Sequence, residues 1–476
     1  MSLQSENDAQ TSLMEEIEEM EEIVETEELE DIEDTEKNTK EELEADFWRN
    51  PSRTILQAGH ESQDFIPDTS ELLRFFYTKL FPYKIYAEWL NYSKEIDKKF
   101  INREFSFQLS NEAVIRHLSF NNPDELKAEI VKQCPLKIDI GAVYSAKPKD
   151  KRSLRPSAYK PVEKELVFDI DLTDYDDIRT CYKGGDICLK CWQFMTVAIK
   201  ILDVALREDF GFKHLLWIYS GRRGVHCWIC DERARKLNND ERKAIVSYLE
   251  VIKGGAQQHK KVYLYKNMHS SLKRSLVIIE DYFEQIVLED QDVLKDEQNW
   301  TKVLNCIPDE GLRKELNKKW LQLPLKPSID KWHDLKSEIS HYKNKKNQWR
   351  LDSSISEIMF QYLYPRLDDK VTTQINHLLK SPFCVHPKTE RVCVPISPDN
   401  CENFDPLKVP TLTTLYRQLN ETNNTASDKS GTKRIHHEYE KCSLKSYMKY
   451  FENFVEGIMK EIREKNREAS EMSMEF

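Results

Sequence analysis

The chain has 476 residues, 39% of them hydrophobic and 32% charged, and carries a formal net charge of −12. That length supports two or three folded units with a sizeable core. No basic, apolar segment opens the chain, and the most apolar stretch, Cys191 to Leu206, is too short and too interrupted by Lys200 to cross a bilayer. Eleven scattered cysteines do not form a small secreted framework, so disulfides are not expected and a soluble intracellular protein is.

Much of the acidity is local. Residues 14–47 are dominated by Glu and Asp, too polar to bury an apolar face, and read as a solvated tail. The remainder is nearer charge balance, so the acidic total does not argue against a nucleic-acid partner. Order is expected from Pro67-Asp68-Thr69-Ser70-Glu71, a polar helix start followed by Leu72, Phe75, Phe76 and Leu80 at helical spacing, with Pro82 closing the segment. Glu104 to Leu109 alternates as a half-buried strand should, and Lys137 to Tyr144 is a second strand candidate. Glu165 to Leu172 is a third. A buried helix is expected over Cys191–Leu206. Strands at Leu215–Tyr219 and Val225–Ile229 should be joined by the glycine-flanked turn Ser220-Gly221-Arg222-Arg223-Gly224. From Asp231 to Gln361 glycine nearly vanishes and periodic apolar positions suggest a helical insertion. Strand-like signals return at Phe383–Lys388 and Arg391–Pro395. Residues 421–432, rich in Asn, Ser, Thr and Gly, read as a loop, and a last helix follows Ser443.

The chemistry begins on the third strand. In Phe168-Asp169-Ile170-Asp171 the side chains alternate, so both carboxylates share one face. Adjacent carboxylates repel, and a hard divalent cation between them relieves the repulsion. Taken alone, a D-x-D is more often a solvated strand edge. Three further features surround it. Cys181, Cys188 and Cys191 have the spacing of a zinc knuckle, with Tyr182 a poor ligand and Cys230, Asp186 or a His as alternatives for the fourth position. Cys227 lies on a strand face with Val225 and Ile229, so its thiol should diverge from that of Cys230. Arg222 and Arg223 in their glycine-rich hairpin can grip phosphate oxygens, with His226 on the outgoing strand, or else form a solvated basic turn. Asp368 after the insertion can complete a two-metal carboxylate set, with Lys380 and His386 supplying positive or hydrogen-bonding groups, although each taken singly reads as an ordinary surface ion pair.

Together these motifs suggest nucleotidyl transfer. The stretches Lys164–Asp177, Ser220–Trp228 and His377–Phe383, with Arg103–Phe107 and Lys137–Gly141, closely resemble the catalytic small subunit of eukaryotic DNA primase. The resemblance runs over most of the chain from about residue 70. It implies an α/β primase fold with a mixed sheet core, a zinc knuckle and an inserted all-helical subdomain. On that reading the chain divides into an acidic tail 1–62, a catalytic core 63–250 with its cysteine motif at 181–191, a helical insertion 251–362, the rest of the core 363–420, a flexible loop 421–435 and a C-terminal helix 436–476. Asp169, Asp171 and Asp368 would hold Mg²⁺ or Mn²⁺. Ser220, Arg222, Arg223, His226, His377, Lys380 and His386 would bind the incoming nucleotide, and Glu104 and Arg116 match positions in or beside the active site. Cys181, Cys188 and Cys191 would hold a structural Zn²⁺. The family has adjacent cysteines where this chain has Cys181-Tyr182, which leaves the fourth ligand open.

The expected function is RNA primer synthesis on single-stranded DNA from nucleoside triphosphates, by two-metal chemistry. Implied partners are the large primase subunit, the catalytic and accessory subunits of DNA polymerase alpha, and the template and RNA primer, with no membrane and a nuclear location. Two alternatives are a repair-type primase-polymerase, marked by efficient use of deoxynucleotides without the large subunit, and a catalytically silent scaffold, disfavoured by the presence of all three aspartates and both arginines.

Overall fold

Short apolar runs organise the chain into two sheets, and strands such as Leu215–Tyr219 and Gly224–Ile229 are buried at every position. The computed structural model describes residues 67–253, 258–342, 348–425 and 437–474, which lie in one unit. The acidic tail 1–62 falls outside the described residues. The first sheet has β1 (Arg103–Gln108), β2 (Val114–Leu118), β3 (Lys137–Tyr144) and β4 (Pro161–Glu163) in the order β2-β1-β3-β4. A two-residue strand delivered from far along the chain, Leu379–Lys380, also pairs with β3. The second sheet holds β5 (Leu166–Asp171), β6 (Leu215–Tyr219), β7 (Gly224–Ile229) and, late in the chain, Pro395–Ile396. Its order is β5-β7-β6 with Pro395–Ile396 at the edge. In chain order these late strands are β8 (Leu379–Lys380) and β9 (Pro395–Ile396). The fold is α/β, and every strand pairing among the described residues is antiparallel.

Helix Thr69–Lys79 is capped by Asp68, whose carboxylate accepts from the Glu71 amide at 2.8 Å. It ends three residues before Pro82, which stands instead at the start of the next helix, Tyr83–Asn91. Helix Leu189–Glu208 is longer than expected at both ends and buries Trp192, Met195, Ile199, Leu202 and Leu206. Between β7 and β8 the described residues form helices and no strand. Phe283, Trp300, Trp320 and Trp332 are buried within that block. The C-terminal helix, Lys445–Met474, sets Phe451 edge-on to Trp89 at 5.7 Å and to Phe383 at 5.0 Å. Trp89 in turn meets Trp228 of β7 at 5.6 Å, so one file of rings joins the two ends of the unit to the second sheet. No described helix is long and apolar enough to cross a membrane.

Two expectations are met only in part. Residues 383–388 and 391–395 form no long strand but do pair. Val385 bridges Val392, the Phe383 amide donates to the Cys393 carbonyl (2.7 Å), the Cys393 amide to the Cys384 carbonyl (2.8 Å) and the His386 amide to the Arg391 carbonyl (2.9 Å), and Pro395 opens β9. Phe383 and Glu390 take left-handed φ angles of 59° and 55°, and Pro387 lacks an amide, so the pairing stays short. Phe383, Cys384, Val385, Val392, Cys393 and Val394 are all buried, so this short pairing is covered on both faces. The loop expected from Glu421 begins later, because helix Leu412–Thr425 continues through Glu421, and residues 426–435 lie outside the described residues.

Candidate active site

The register of β5 against β7 builds the floor of the site. Asp169 lies opposite His226 and Asp171 opposite Gly224, so both carboxylates and the imidazole stand on one face. Gly224 is required by the closeness of the strands, since a Cβ there would lie 2.5 Å from the Ile170 carbonyl oxygen. His226 Nε2 is 3.5 Å from Asp169 Oδ1. Asp171 splits its oxygens. Oδ1 accepts from the Thr173 amide (2.8 Å) and hydroxyl (2.9 Å), and Oδ2 from Arg223 Nε at 2.8 Å.

Asp368 reaches this floor from beyond the helical block. Its backbone amide donates to the Asp169 carbonyl at 3.2 Å, and its carboxylate caps the short helix Asp369–Thr373. Asp169, Asp171 and Asp368 then line one cavity of about 390 Å³ with Thr173, Asp174 and Leu367. Burial, then repulsion from Asp171, Asp368 and Asp174, pushes the Asp169 carboxyl up to about 7, with Lys380 pulling the other way. A cleft of hard oxygens that resists full ionisation fits divalent cations, whose charge removes the repulsion.

A cationic wall stands beside the carboxylates. The Ser220–Gly224 turn is closed by Ser220, whose amide donates to the Gly224 carbonyl (2.9 Å) and whose Oγ accepts from the Gly224 amide (3.0 Å). Gly221 holds φ +91°, and a side chain there would strike His386 Cβ at 2.6 Å. Lys380, carried in on β8, places Nζ 3.4 Å from the Ser220 carbonyl. Burial, then the charges of Lys380, Arg222 and Arg223, holds His386 near 3, and burial with Lys380 does the same to His226. Both imidazoles are therefore neutral near pH 7 and able to donate to an anion without adding charge. Arg222 Nε donates to the Gly185 carbonyl at 3.2 Å, inside the segment between Cys181 and Cys188.

Three expected residues, Glu104, Arg116 and His377, are not among those lining the acidic cavity. Glu104 is fully buried, and its Oε1 takes Arg116 at 3.3 Å and His117 Nδ1 at 2.9 Å. Gly141 separates Glu104 from Leu378, with a Cβ there falling 3.0 Å from each. His377 turns its Nδ1 to the Leu378 carbonyl at 2.7 Å.

The sulfur ligand atoms of Cys181, Cys188 and Cys191 lie within 4.8 Å of one another. Cys188 caps helix Leu189–Glu208, so the two later sulfurs sit on its first turn, 3.9 Å apart. Burial pushes the Cys191 thiol up to about 12, so three thiolates coexist only where a cation replaces the protons. Among the described residues no further Cys, His, Asp or Glu joins the trio. Cys230 is excluded as the fourth, because its sulfur accepts from Trp89 Nε1 at 3.2 Å in the core.

Sequence reasoning missed several groups. Asp174 lines the cavity because the turn Leu172–Tyr175 folds it back, and burial followed by Asp171 and Asp368 pushes it up to about 6. Arg366 donates to the Asp174 carbonyl and to Asp177. Lys164 is fully buried and donates to the His377 carbonyl, and burial lowers it to about 7. The order of charges along Arg366-Leu-Asp368 was a signal for Arg366, but nothing local marks Lys164 or Asp174.

Fold and site together define an α/β protein whose carboxylate cavity, bordered by Arg223, Lys380 and two neutral histidines, suits a polyphosphate neutralised by divalent ions. Residues 168–398 match the family model described as DNA primase small subunit. The chain is 43% identical over 415 residues to the DNA primase small subunit of Schizosaccharomyces pombe, covering 82% of this chain and 90% of that one. It is 42% identical over 406 residues to that of Drosophila melanogaster (82% and 91% covered) and 37% over 399 residues to that of Saccharomyces cerevisiae (83% and 93%). The chain belongs to the DNA primase small subunit family, and membership implies a nucleotidyl-transferring enzyme.

Proposed function

We propose that this chain is the catalytic subunit of a primase and joins ribonucleoside triphosphates into short RNA primers on a single-stranded DNA template. The observation that carries this reading is the hydrogen bond from the Asp368 amide to the Asp169 carbonyl. It brings a third carboxylate to the Asp169–Asp171 pair beside a cationic wall.

In the reaction a 3′-hydroxyl oxygen bonds to the α-phosphorus of the incoming nucleotide, and the bond to the β-phosphate oxygen breaks, releasing pyrophosphate. Asp169, Asp171 and Asp368 would hold Mg²⁺ or Mn²⁺, which supply charge neutralisation of the attacking and leaving oxygens. Arg222, Arg223 and Lys380 orient the triphosphate and balance the charge that grows on it. Ser220, His226 and His386 add hydrogen bonds from rigid backbone, the two imidazoles as neutral donors. Arg223 is held ready by Asp171. Glu104, paired with Arg116, lies across Gly141 from Leu378, next to His377, and flanks the β8 segment. Cys181, Cys188 and Cys191 would hold Zn²⁺ and brace the loop on which Arg222 leans.

As a small subunit the chain would act with a large primase subunit and, through it, with DNA polymerase alpha in the nucleus. The test is incorporation of labelled ribonucleotides by purified protein on single-stranded DNA with Mg²⁺ or Mn²⁺, with and without the large subunit, deoxynucleotides serving as the contrasting arm. Asp169→Ala and Asp171→Ala abolish primers and leave capture of the large subunit intact. Equal primer yield from either variant rejects the assignment.

A further inference from the structure

A primer-making site needs a track for the strand being copied, and one surface beside the cavity has the chemistry of such a track. Between Glu250 and Glu280 the sequence contains no carboxylate, in a chain with 83 Asp and Glu, while Lys253, Lys260, Lys261, Lys266, Lys273 and Arg274 fall there. The part of this stretch just before helix Ser270–Phe283 is extended, and its side chains alternate. Val262 and Leu264 are buried, at 0% and 7% exposure, whereas Tyr263 and Tyr265 stand out at 65% and 86%.

The backbone beneath the tyrosines is fastened. The Leu264 amide donates to Glu357 Oε1 at 2.9 Å, the Lys261 amide to Gln361 Oε1 at 2.8 Å, and Gln361 Nε2 to the His259 carbonyl at 2.8 Å. The Lys253 amide bonds the Lys261 carbonyl at 2.9 Å. Two rings two residues apart on an extended chain are separated by about 7 Å. Lys260 Nζ lies 5.2 Å from the Tyr263 ring centre and pairs with Glu357 at 2.6 Å. Lys253 and Lys266 are exposed and meet no carboxylate among the described residues.

The segment also connects to the cavity. Lys261 Nζ reaches Asp177 Oδ2 at 3.4 Å, Asp177 accepts from Arg366, and Arg366 donates to the carbonyl of Asp174, which lines the cavity. Aromatic faces that stack bases without reading them, beside cations that track phosphates, are the means by which proteins hold single strands irrespective of sequence. A protein partner would also use exposed tyrosines, but would not by itself account for a long stretch cleared of acids.

We infer that Tyr263 and Tyr265, flanked by Lys253 and Lys266, are a stacking platform for the single-stranded polynucleotide that passes the carboxylate cavity. This rests on the primase reading above and adds where the strand lies.

The test measures binding of the full-length protein to a labelled oligo(dT) and to an oligo(rU) of equal length by fluorescence anisotropy at two salt concentrations. Nucleoside triphosphate binding with Mn²⁺ is measured in parallel. The Tyr263→Ala/Tyr265→Ala variant weakens oligonucleotide binding by roughly tenfold or more, while Tyr263→Phe/Tyr265→Phe stays within about twofold of wild type. Lys266→Gln weakens binding less and lowers the salt dependence by about one charge. Nucleoside triphosphate binding is unchanged in all three. A loss confined to oligo(dT) assigns the template, one confined to oligo(rU) assigns the primer, and a loss on both marks a platform shared by the two.

Oligonucleotide binding within twofold of wild type in the double alanine variant overturns the inference, as does a loss seen only in capture of the large subunit. If wild type makes no primers yet the alanine variant still loses oligonucleotide binding, the primase reading fails and the platform stands. If primers are made and the variant binds normally, the platform alone fails.

Discussion

Removing the charge of Asp169 while keeping its shape should stabilise the metal-free protein at neutral and alkaline pH and destroy its response to divalent ions. In the folded chain the Asp169 carboxyl titrates at about 7 instead of 3.8, first because it is buried and then because Asp171, Asp368 and Asp174 repel its charge. Between those two pH values the native state holds a proton that the unfolded chain has released, so stability falls as pH rises through the window and the full penalty is present above it. The difference corresponds to at most ~4 kcal/mol. Because the carboxylate keeps 26% of its exposure, water absorbs part of this, and about 2 kcal/mol is expected for Asp169→Asn. For a unit of this size that is roughly 2 °C in melting temperature. The assay is thermal unfolding of wild type and Asp169→Asn at pH 5 and pH 8, each with chelator and with excess Mn²⁺. In chelator at pH 8 the variant melts higher, and at pH 5 its advantage falls to less than half. With Mn²⁺ at pH 8 only wild type gains. A variant less stable than wild type in chelator at pH 8, or an advantage indifferent to pH, refutes the account of carboxylate repulsion.

Replacing Cys188 with Ser should strip zinc from the purified protein and lower its stability by more than about 2 kcal/mol, read by metal analysis and melting. Unchanged zinc content removes Cys188 from the ligand set. Gly224→Ala forces a methyl group against the Ile170 carbonyl and should cost about 1–3 kcal/mol while displacing Asp171, so chemical denaturation and Mn²⁺ affinity both deteriorate. Lys164, lowered to about 7 by burial, is largely neutral above that pH in the folded chain while the unfolded chain still binds its proton. Wild type should therefore gain about 2 kcal/mol on Lys164→Met between pH 7 and pH 9 in urea titrations, and a constant gap between them would contradict this.

The elements closest to the chemistry were the most legible in the sequence. The strands Lys137–Tyr144 and Leu215–Tyr219 have the expected limits, and Asp169 and Asp171 share a face because a two-residue period leaves no other arrangement. Asp368 stood in the sequence only as one possible completion of the pair and was assigned through likeness to a family, since no local pattern can announce that an amide about 200 residues away will bond the Asp169 carbonyl. Asp174 escaped because a tight turn, and not strand alternation, aims it. Lys164 escaped because a lysine between Glu163 and Glu165 reads as solvated, whereas here its ammonium is enclosed against a carbonyl. The strand signals at 383–395 correspond to a shorter pairing, in which Val385 faces Val392 and Pro395 begins β9, because left-handed Phe383 and Glu390 and the missing amide of Pro387 limit its length.

The bond between the Asp368 amide and the Asp169 carbonyl, reinforced by Lys164 on His377, clasps the chain on either side of the long helical block. A segment pinned at its root behaves as a closed loop, and lengthening such a loop changes its closure entropy only slowly. Natural variation can therefore add, shorten or remodel those helices, and with them whatever surface they present, without moving the oxygen atoms that line the cavity. Substitutions at the clasp itself have no such freedom, since they reach every atom of the cavity at once.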